Sequence, residues 1–447
     1  MEAGTSPARS AGDASAAPPA ELRRELGFWQ LTASGIGIIV GAGIYALIGA
    51  ATAKAGSGVW LSFLIAAGLS VLTGLSYCEL AALFPSAGGE YEYTRNAFPR
   101  SIAFLTGWLM IAGLAVGAAA VALGFARYLN EFIDVPLRPA ALAILVAAAG
   151  VAFSGIKQSG RLTILLCLVQ VGGLLLVIFL GMKHIGEVSL APSTGFSGIL
   201  GGAALVFFAF IGFDEVITLA EETKDPSRTV PRALLAALGI SAGLYVLVAI
   251  TAVSVLGASA LAASARPLAD VLRVSVGGFS TQVVAFVALA STANAVLLML
   301  TASSRLTYAM ARSGALPANL GKVTKERAVP VVAVVVCASV AAVFMLFGDL
   351  SGVASVTDFA VYLVFLAVNA TVVVLRIRQP GLERPFRVPF SVGRLPVTPI
   401  LGFVTTLVML SFLEVRAMVA GVAVVAAGYL FVLVYGRVRG RAAGSEA

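Results

Sequence analysis

Apolar residues fill long stretches of this chain, and the charged residues fall mostly between those stretches. About 20 apolar residues are enough for a helix to cross the hydrocarbon core of a bilayer. The pattern therefore predicts an all-α membrane protein with about twelve transmembrane helices. The predicted spans are 28–54, 58–84, 98–129, 138–155, 162–182, 197–220, 231–257, 278–308, 329–347, 353–375, 395–413 and 416–436.

The composition excludes a water-soluble protein. Of the 447 residues, 59% are hydrophobic and only 12% are charged, whereas soluble domains carry about 25% charged residues. The net charge of +8 does not indicate nucleic-acid binding, because the basic residues are spread among the connectors rather than gathered on one face. We expect membrane lipid around the protein, no nucleic-acid partner, and no obligate protein partner.

The basic residues also predict an orientation. Most of the 30 lysine and arginine residues fall in alternate connectors, and such loops lie on the cytoplasmic side. We therefore expect a multi-pass protein of the cytoplasmic membrane with both termini inside. The predicted organisation is a disordered cytoplasmic tail (1–25), a transporter domain (26–437) and a cytoplasmic C-terminal tail (438–447).

Glycines interrupt two of the predicted spans near their middle. The first span contains Gly41 and Gly43, and the sixth contains Gly212 followed by Asp214. Each begins a set of five spans, and two sets with an odd number of helices run in opposite directions through the bilayer. This arrangement predicts an inverted 5+5 repeat (26–183 and 195–376) with broken helices 1 and 6, followed by two accessory helices (395–436).

Broken helices expose backbone groups that suit a zwitterionic solute. N–H groups at the start of the outer half of helix 1 would receive a carboxylate, and carbonyls at the ends of the broken segments would receive an ammonium. A small-residue packing seam is the alternative interpretation of Gly41 and Gly43. The matching interruption in the sixth span favours a binding site.

Several side chains near these interruptions have two interpretations. Asp214 either caps the inner half of helix 6 or titrates during transport, and Phe208 either covers a bound solute or packs in the core. In the eighth span, Ser291, Thr292 and Asn294 either bond to carbonyls one turn back or line the pathway. Glu79, Glu221 and Glu222 are expected to be solvated or paired groups at the cytoplasmic side.

Enzymatic and channel functions are disfavoured. The single histidine and three separated cysteines offer no metal site, no catalytic cluster and no cofactor site. A channel requires a continuous polar stripe along the spans, and only isolated polar residues occur. A secondary transporter, either a proton symporter or an exchanger, is the predicted function.

The chain resembles the amino acid–polyamine–organocation permeases, which have the LeuT-type fold. The resemblance covers nearly all of the chain after residue 25, and it rests on five motifs in the expected order. These are GIGIIVGAGIY at 35–45, YCEL at 77–80 with FPSAGGEY at 84–91, FFAFIGFD at 207–214, AEETKDP at 220–226 and ASSRLTYAMAR at 302–312. The nearest likeness is to the cationic amino acid transporter branch and its bacterial relatives.

The resemblance implies a set of substrate-binding residues. Ala42 and Gly43 would hold the substrate carboxylate through their N–H groups, and Phe208 would be the gate. The ammonium would be received by the carbonyls of Ile39, Ala209 and Ile211.

Two residues depart from the family pattern. Gln170 stands where proton-coupled relatives carry a lysine, so coupling through that position is in doubt. Gly113 stands where the branch tends to carry a glutamate after Gly107 and Trp108. The absence of that acid favours small or apolar neutral amino acids as substrates, with cationic amino acids or polyamines as the alternative.

Overall fold

The protein is almost entirely helical. The computed structural model describes residues 26–84, 89–154, 160–218, 223–324 and 329–445. The predicted tail at 1–25, residues 85–88 of the FPSAGGEY motif, and Glu221 with Glu222 lie outside these ranges. The helices are α1 (Phe28–Ile39), α2 (Ala42–Ala55), α3 (Val59–Leu83), α4 (Gly89–Arg95), α5 (Arg100–Leu129), α6 (Leu137–Phe153), α7 (Gly160–Gly181), α8 (Phe196–Val206), α9 (Glu215–Thr218), α10 (Pro226–Ala263), α11 (Pro267–Ser275), α12 (Gly278–Arg312), α13 (Val331–Phe347), α14 (Leu350–Arg378), α15 (Val397–Leu410) and α16 (Val415–Ser445).

Short 3₁₀ segments and one hairpin complete the described structure. The 3₁₀ segments are Gly56–Gly58, Met182–His184, Phe207–Phe210 and Ala318–Gly321. The antiparallel strands β1 (Ser391–Val392) and β2 (Leu395–Pro396) pair Ser391 with Pro396 and Val392 with Leu395.

Seven helical stretches in the described ranges are long and apolar enough to cross a membrane. Five further apolar helices are shorter, and two of these, α1 and α8, belong to the interrupted spans. The seven stretches are Gly43–Leu83, Arg100–Leu129, Cys167–His184, Pro226–Ala263, Gln282–Arg312, Leu350–Arg378 and Val415–Tyr435. The first contains both α2 and α3, which are joined by a turn at Gly56 with a φ of +57°.

The structure differs from the predicted spans in four places. The connector at 89–95 forms the short helix α4, and the unpredicted helix α11 follows α10. Helix α16 continues to Ser445, so most of the predicted C-terminal tail is helical. Gly257, with a φ of +73°, bends α10 near the predicted end of the seventh span.

Helix α5 forms the centre of the bundle. In the most apolar stretch of α5, 83% of the residues are buried inside the protein. In the most apolar stretch of α16, only 17% of the residues are buried. Helix α5 packs mainly against α12 and α14, and alanines and glycines along it allow this close approach.

Peripheral helices expose large apolar side chains. Leu168 and Phe179 of α7, Val404 of α15, and Val419 and Leu430 of α16 are each at least half exposed. An apolar surface of this extent is unfavourable in water. It fits contact with lipid tails and agrees with the composition.

A buried ion cluster joins the ends of α3 and α14. Glu79 is 1% exposed, and its two carboxylate oxygens accept hydrogen bonds from Arg376 Nε (3.0 Å) and Nη2 (2.5 Å). Arg384 Nε (3.2 Å) and the Val388 backbone N–H (2.8 Å) donate to the same carboxylate. Glu79 is therefore paired with arginines rather than solvated, and it fixes the end of α14 and the following loop against α3.

We predict that Glu79→Gln lowers stability strongly, because it leaves two largely buried arginines without a counter-charge. Removing one partner of a buried pair costs about 3–5 kcal/mol. The matched control is Glu414→Gln, which removes a more exposed pair with Lys54 (2.8 Å) worth about 0–1 kcal/mol. Thermal unfolding of both variants in the same detergent measures the difference, and equal melting temperatures would contradict a structural role for the Glu79 cluster.

Candidate functional site

The helix of the first predicted span is interrupted between α1 and α2. Val40 leaves the helical conformation with a ψ of 62°, and Gly41 is extended (φ −97°, ψ −149°). The last bonds before the interruption are Val40 N–H to Ile36 O and Gly41 N–H to Ile39 O, each 2.7 Å. The backbone N–H groups at the start of α2 include those of Ala42 and Gly43. They have no acceptor carbonyl within their own helix, because the helix is interrupted one turn earlier.

The helix of the sixth predicted span is interrupted between α8 and α9. After α8 the chain forms the 3₁₀ segment Phe207–Phe210, and Ile211 then adopts an extended ψ of 139°. Gly212 has a φ of +107°, a conformation that favours glycine. A Cβ atom at Gly212 would also lie 2.8 Å from Cγ2 of Ile38 in α1.

The two interruptions lie directly against each other. A Cβ atom at Gly43 would lie 2.4 Å from Ala209 Cα and 2.9 Å from Ala209 N. Only a glycine therefore allows this approach of α2 to the 3₁₀ segment. The hydroxyl of Tyr245 in α10 lies between the two breaks, 2.7 Å from Ile39 O and 3.0 Å from Ala209 O.

Tyr245 thus contacts two of the three carbonyls that were predicted to receive a substrate ammonium. Its single O–H proton serves two acceptors, and its ring packs edge-on against Phe210 with ring centres 5.2 Å apart. The hydroxyl therefore satisfies both carbonyls in this closely packed conformation.

Gln170 of α7 holds the first interruption from the other side. With its side-chain amide nitrogen facing α1, it donates to Gly37 O (3.1 Å) and Val40 O (3.0 Å). Its own backbone carbonyl accepts the Tyr45 hydroxyl at 3.0 Å, and Tyr45 O in turn accepts the Tyr128 hydroxyl at 2.8 Å. A neutral amide therefore binds the carbonyls of the first break.

The other predicted site residues of the sixth span, among those that the structure describes, are buried beside the break. Phe208, Ala209 and Ile211 each have at most 5% of their surface exposed. Asp214 Oδ1 accepts the backbone N–H of Gly212 at 3.2 Å, which satisfies one donor inside the break. The roles assigned to these residues in substrate binding stay predictions.

A second carboxyl group, Glu90 of α4, lies close to Asp214. The Tyr77 hydroxyl donates to Glu90 Oε1 at 3.0 Å, and the Tyr77 ring packs edge-on against Phe213 with centres 5.7 Å apart. Burial raises the pKa of Glu90 above its ordinary value, and the nearby Asp214 carboxylate contributes to this rise. The connector helix α4 is thus electrostatically linked to the sixth-span break.

The polar residues of α12 differ in their bonding. Thr292 donates to Ala288 O at 2.7 Å, one turn back along its own helix. The Ser291 hydroxyl is buried with no hydrogen-bond partner among the described residues. One turn further on, Ala295 Cβ lies 3.6 Å from the Cβ position of Gly41, so this part of α12 borders the first break. Asn294 is half-buried.

Gly113 does not face the two breaks. A Cβ atom there would lie 3.4 Å from Ala360 Cβ and Val361 Cγ2 of α14. It also borders a small apolar crevice between α5, α14 and α16. The absence of an acid at position 113 is therefore weaker evidence about the substrate than the apolar side chains around the breaks.

Two buried residues were missed by the sequence analysis. Tyr245 bridges the breaks although it is 206 residues from Ile39 in the chain, and Asp358 is a fully buried acid in α14. Each carries a polar group inside an apolar span, which was an available signal, because such groups are functional candidates by default.

Comparison with known proteins identifies the family. A family model described as amino acid permease matches residues 26–437. An uncharacterised transporter of Mycobacterium tuberculosis is 32% identical over 416 residues, covering 92% of this chain and 91% of the relative. A branched-chain amino acid permease of Bacillus subtilis is 31% identical (82% and 84% covered). A vacuolar cationic amino acid transporter of Arabidopsis thaliana is also 31% identical (82% and 61% covered). This chain belongs to the amino acid permease family.

Proposed function

We propose that this permease is a secondary active transporter, not an enzyme, that carries small or apolar neutral amino acids across the cytoplasmic membrane by alternating access. The observation that carries the proposal is the meeting of two interrupted helices at Gly43 and Ala209, with Ile39 O and Ala209 O turned toward one hydroxyl. Backbone N–H groups and carbonyls that are released from regular helix hydrogen bonding at neighbouring breaks match a solute with opposite charges at its two ends. No cofactor is required for this function.

The binding residues follow from this geometry. The N–H groups of Ala42 and Gly43 at the start of α2 receive the carboxylate, where the helix dipole adds to the attraction. The carbonyls of Ile39, Ala209 and Ile211 receive the ammonium once the Tyr245 hydroxyl has been displaced. Phe208, which is buried beside the break, covers the side chain of the solute.

The packing supports a twelve-helix arrangement with a LeuT-type inverted repeat. Counting α1 with α2, and α8 with α9, as single interrupted spans leaves ten further spans: α3, α5, α6, α7, α10, α12, α13, α14, α15 and α16. Corresponding helices of the two proposed halves make equivalent contacts with the other half. The first interrupted span contacts α10, and the second interrupted span contacts α3. In the same way, α5 contacts α14, and α12 contacts α7.

Neutral substrates are favoured by the surroundings of the breaks. The side chains there are largely apolar, and the carboxylate of Asp214 is already occupied by the Gly212 N–H. The relatives include permeases named for branched-chain and for cationic amino acids. A cationic amino acid or a polyamine is the second candidate, because Asp214 is an acid at the break itself.

The proposed mode is proton symport or exchange, with both termini on the cytoplasmic side, where most basic connectors fall. An ion channel is disfavoured because the two breaks are in direct contact and are surrounded by apolar side chains. Gln170 does not titrate, so a coupling proton must bind elsewhere.

Uptake by purified protein in liposomes tests the substrate class. We expect labelled leucine, valine or alanine to accumulate, and arginine and spermidine to be excluded. A pH gradient without internal substrate distinguishes symport from exchange, which requires internal substrate instead. Uptake of spermidine or arginine with no uptake of the neutral amino acids would contradict the proposed substrate.

Substitution of Gly43 tests the proposed site. Gly43→Ala places a methyl group against the Ala209 backbone, and overpacking of this kind costs about 1–3 kcal/mol. We expect a loss of leucine uptake of about 5-fold to 150-fold, because each 1.4 kcal/mol is a factor of ten, with normal insertion in the membrane.

The matched control is Gly68→Ala in α3, where a Cβ atom meets nothing within 4 Å. It should transport like the unsubstituted protein. Normal uptake by Gly43→Ala would remove the contact between α2 and the 3₁₀ segment from the transport site.

A further inference from the structure

Asp358 is a buried acid without a hydrogen-bond partner in the part of the chain that the structure describes. It lies in α14 with 0% of its surface exposed. Neither of its carboxyl oxygens has a hydrogen-bond partner among the described residues. A charged carboxylate in such surroundings is strongly disfavoured, whereas a protonated carboxyl is tolerated far better.

The position of Asp358 links it to the sixth-span break. Tyr362, one helical turn later in α14, donates its hydroxyl to Ala204 O in the last turns of α8 at 3.1 Å. The Tyr362 ring lies 4.7 Å from that of Phe207, the first residue of the 3₁₀ segment. Asp358 and Tyr362 are four residues apart, so they share one helix face. That face contacts the helix that leads into the break.

No counter-charge accompanies Asp358 in the described structure. On α14 itself, the neighbouring titratable group is Tyr362, and α8, α15 and the 3₁₀ segment contain no ionisable residue. The other described acids, bases and tyrosines of the packed elements contact other partners or lie at exposed or half-buried positions. These are Lys54 with Glu414, Tyr45 with Gln170, Glu79 with Arg376 and Arg384, Tyr77 with Glu90, Glu92 with Arg95, Tyr93 against the Tyr77 ring, Tyr128 with the Tyr45 carbonyl, Arg378 with the Ala97 carbonyl, Tyr435 with the Leu316 carbonyl, Arg127 near Asp349, the half-buried Tyr91, and the exposed Arg100, Arg416 and Tyr429.

We propose that Asp358 is the proton-binding site that couples transport to a proton gradient. The inference rests on the proposed transporter function and extends it by naming the residue that carries the proton. Asp214 is less suited to this role, because its carboxylate accepts the Gly212 N–H inside the break.

The coupling follows from the packing around Asp358. When α14 and α8 separate, water reaches the carboxylate, and a proton from that water forms an O–H bond on one oxygen. The closely packed conformation forms readily only with this neutral group, so the proton enters with the substrate. Opening to the other side rehydrates the carboxyl group, which then gives its proton to water there. Proton binding thus shifts the conformational equilibrium toward the packed conformation, because the neutral carboxyl group is tolerated there and the charged carboxylate is not.

The test uses purified full-length protein in liposomes that contain a pH-sensitive dye, with leucine as the probe. For the unsubstituted protein, leucine uptake should acidify the interior. Asp358→Asn should keep leucine-for-leucine exchange within about twofold and lose substrate-driven acidification at least about tenfold. Asp349→Asn is the matched control, because Asp349 is an exposed acid at the start of the same helix, and it should behave like the unsubstituted protein.

Each other outcome overturns the proposal in a recognisable way. Acidification by Asp358→Asn at the normal rate places the proton elsewhere, and leucine uptake without acidification by the unsubstituted protein removes coupling altogether. Loss of exchange together with acidification assigns Asp358 to substrate binding or folding. A variant that fails to fold is also contradictory, because the amide closely matches a protonated carboxyl in shape. A protein that transports no amino acid instead refutes the transporter function itself.

Discussion

Backbone groups released inside a membrane bundle need polar partners within the protein, because lipid offers none. Both interrupted helices of this permease meet that requirement through side chains from other helices. Tyr245 serves the carbonyls of Ile39 and Ala209, and Gln170 serves those of Gly37 and Val40. The breaks are therefore stable features of the fold, and the function proposed above assigns the carbonyls of Ile39 and Ala209 to the ammonium of the solute.

Glycine makes this arrangement sterically feasible. The backbone of α2 reaches Ala209 only because Gly43 has no side chain, and the 3₁₀ segment turns into α9 only through the positive φ of Gly212. The two interruptions are consequently joined by a single close contact between α2 and the 3₁₀ segment. A contact that is held by a few hydrogen bonds and close packing can separate and reform, as alternating access requires.

The charged residues of the interior divide into two kinds. Glu79 is bonded to two arginines and a backbone N–H, so it acts as a fixed attachment between α3 and the end of α14. Asp358 lies nearer the start of the same helix, and it has no such partner among the described residues. One end of α14 is thus anchored by paired charge, while the other carries a group whose charge state depends on its exposure to water.

Much of this organisation follows from local sequence pattern. The apolar runs predicted the helical membrane architecture, and the glycine steps at Gly41–Gly43 and Gly212 predicted where two helices stop. Partners that are distant in the chain could not be predicted in this way, because Tyr245 and Arg376 meet Ile39 and Glu79 only after folding. The helices α4 and α11 were also missed, since both are short and lie between the long apolar runs on which the prediction was based.

The central claim is that the contact between Gly43 and Ala209 opens to hold an amino acid. An experimental structure of the protein with bound leucine tests it most directly. The account predicts that the leucine carboxylate lies at the N–H groups of Ala42 and Gly43, and that its ammonium replaces the Tyr245 hydroxyl at Ile39 O and Ala209 O. Leucine bound elsewhere, with Gly43 still packed against Ala209 and Tyr245 still bridging the two carbonyls, would contradict it.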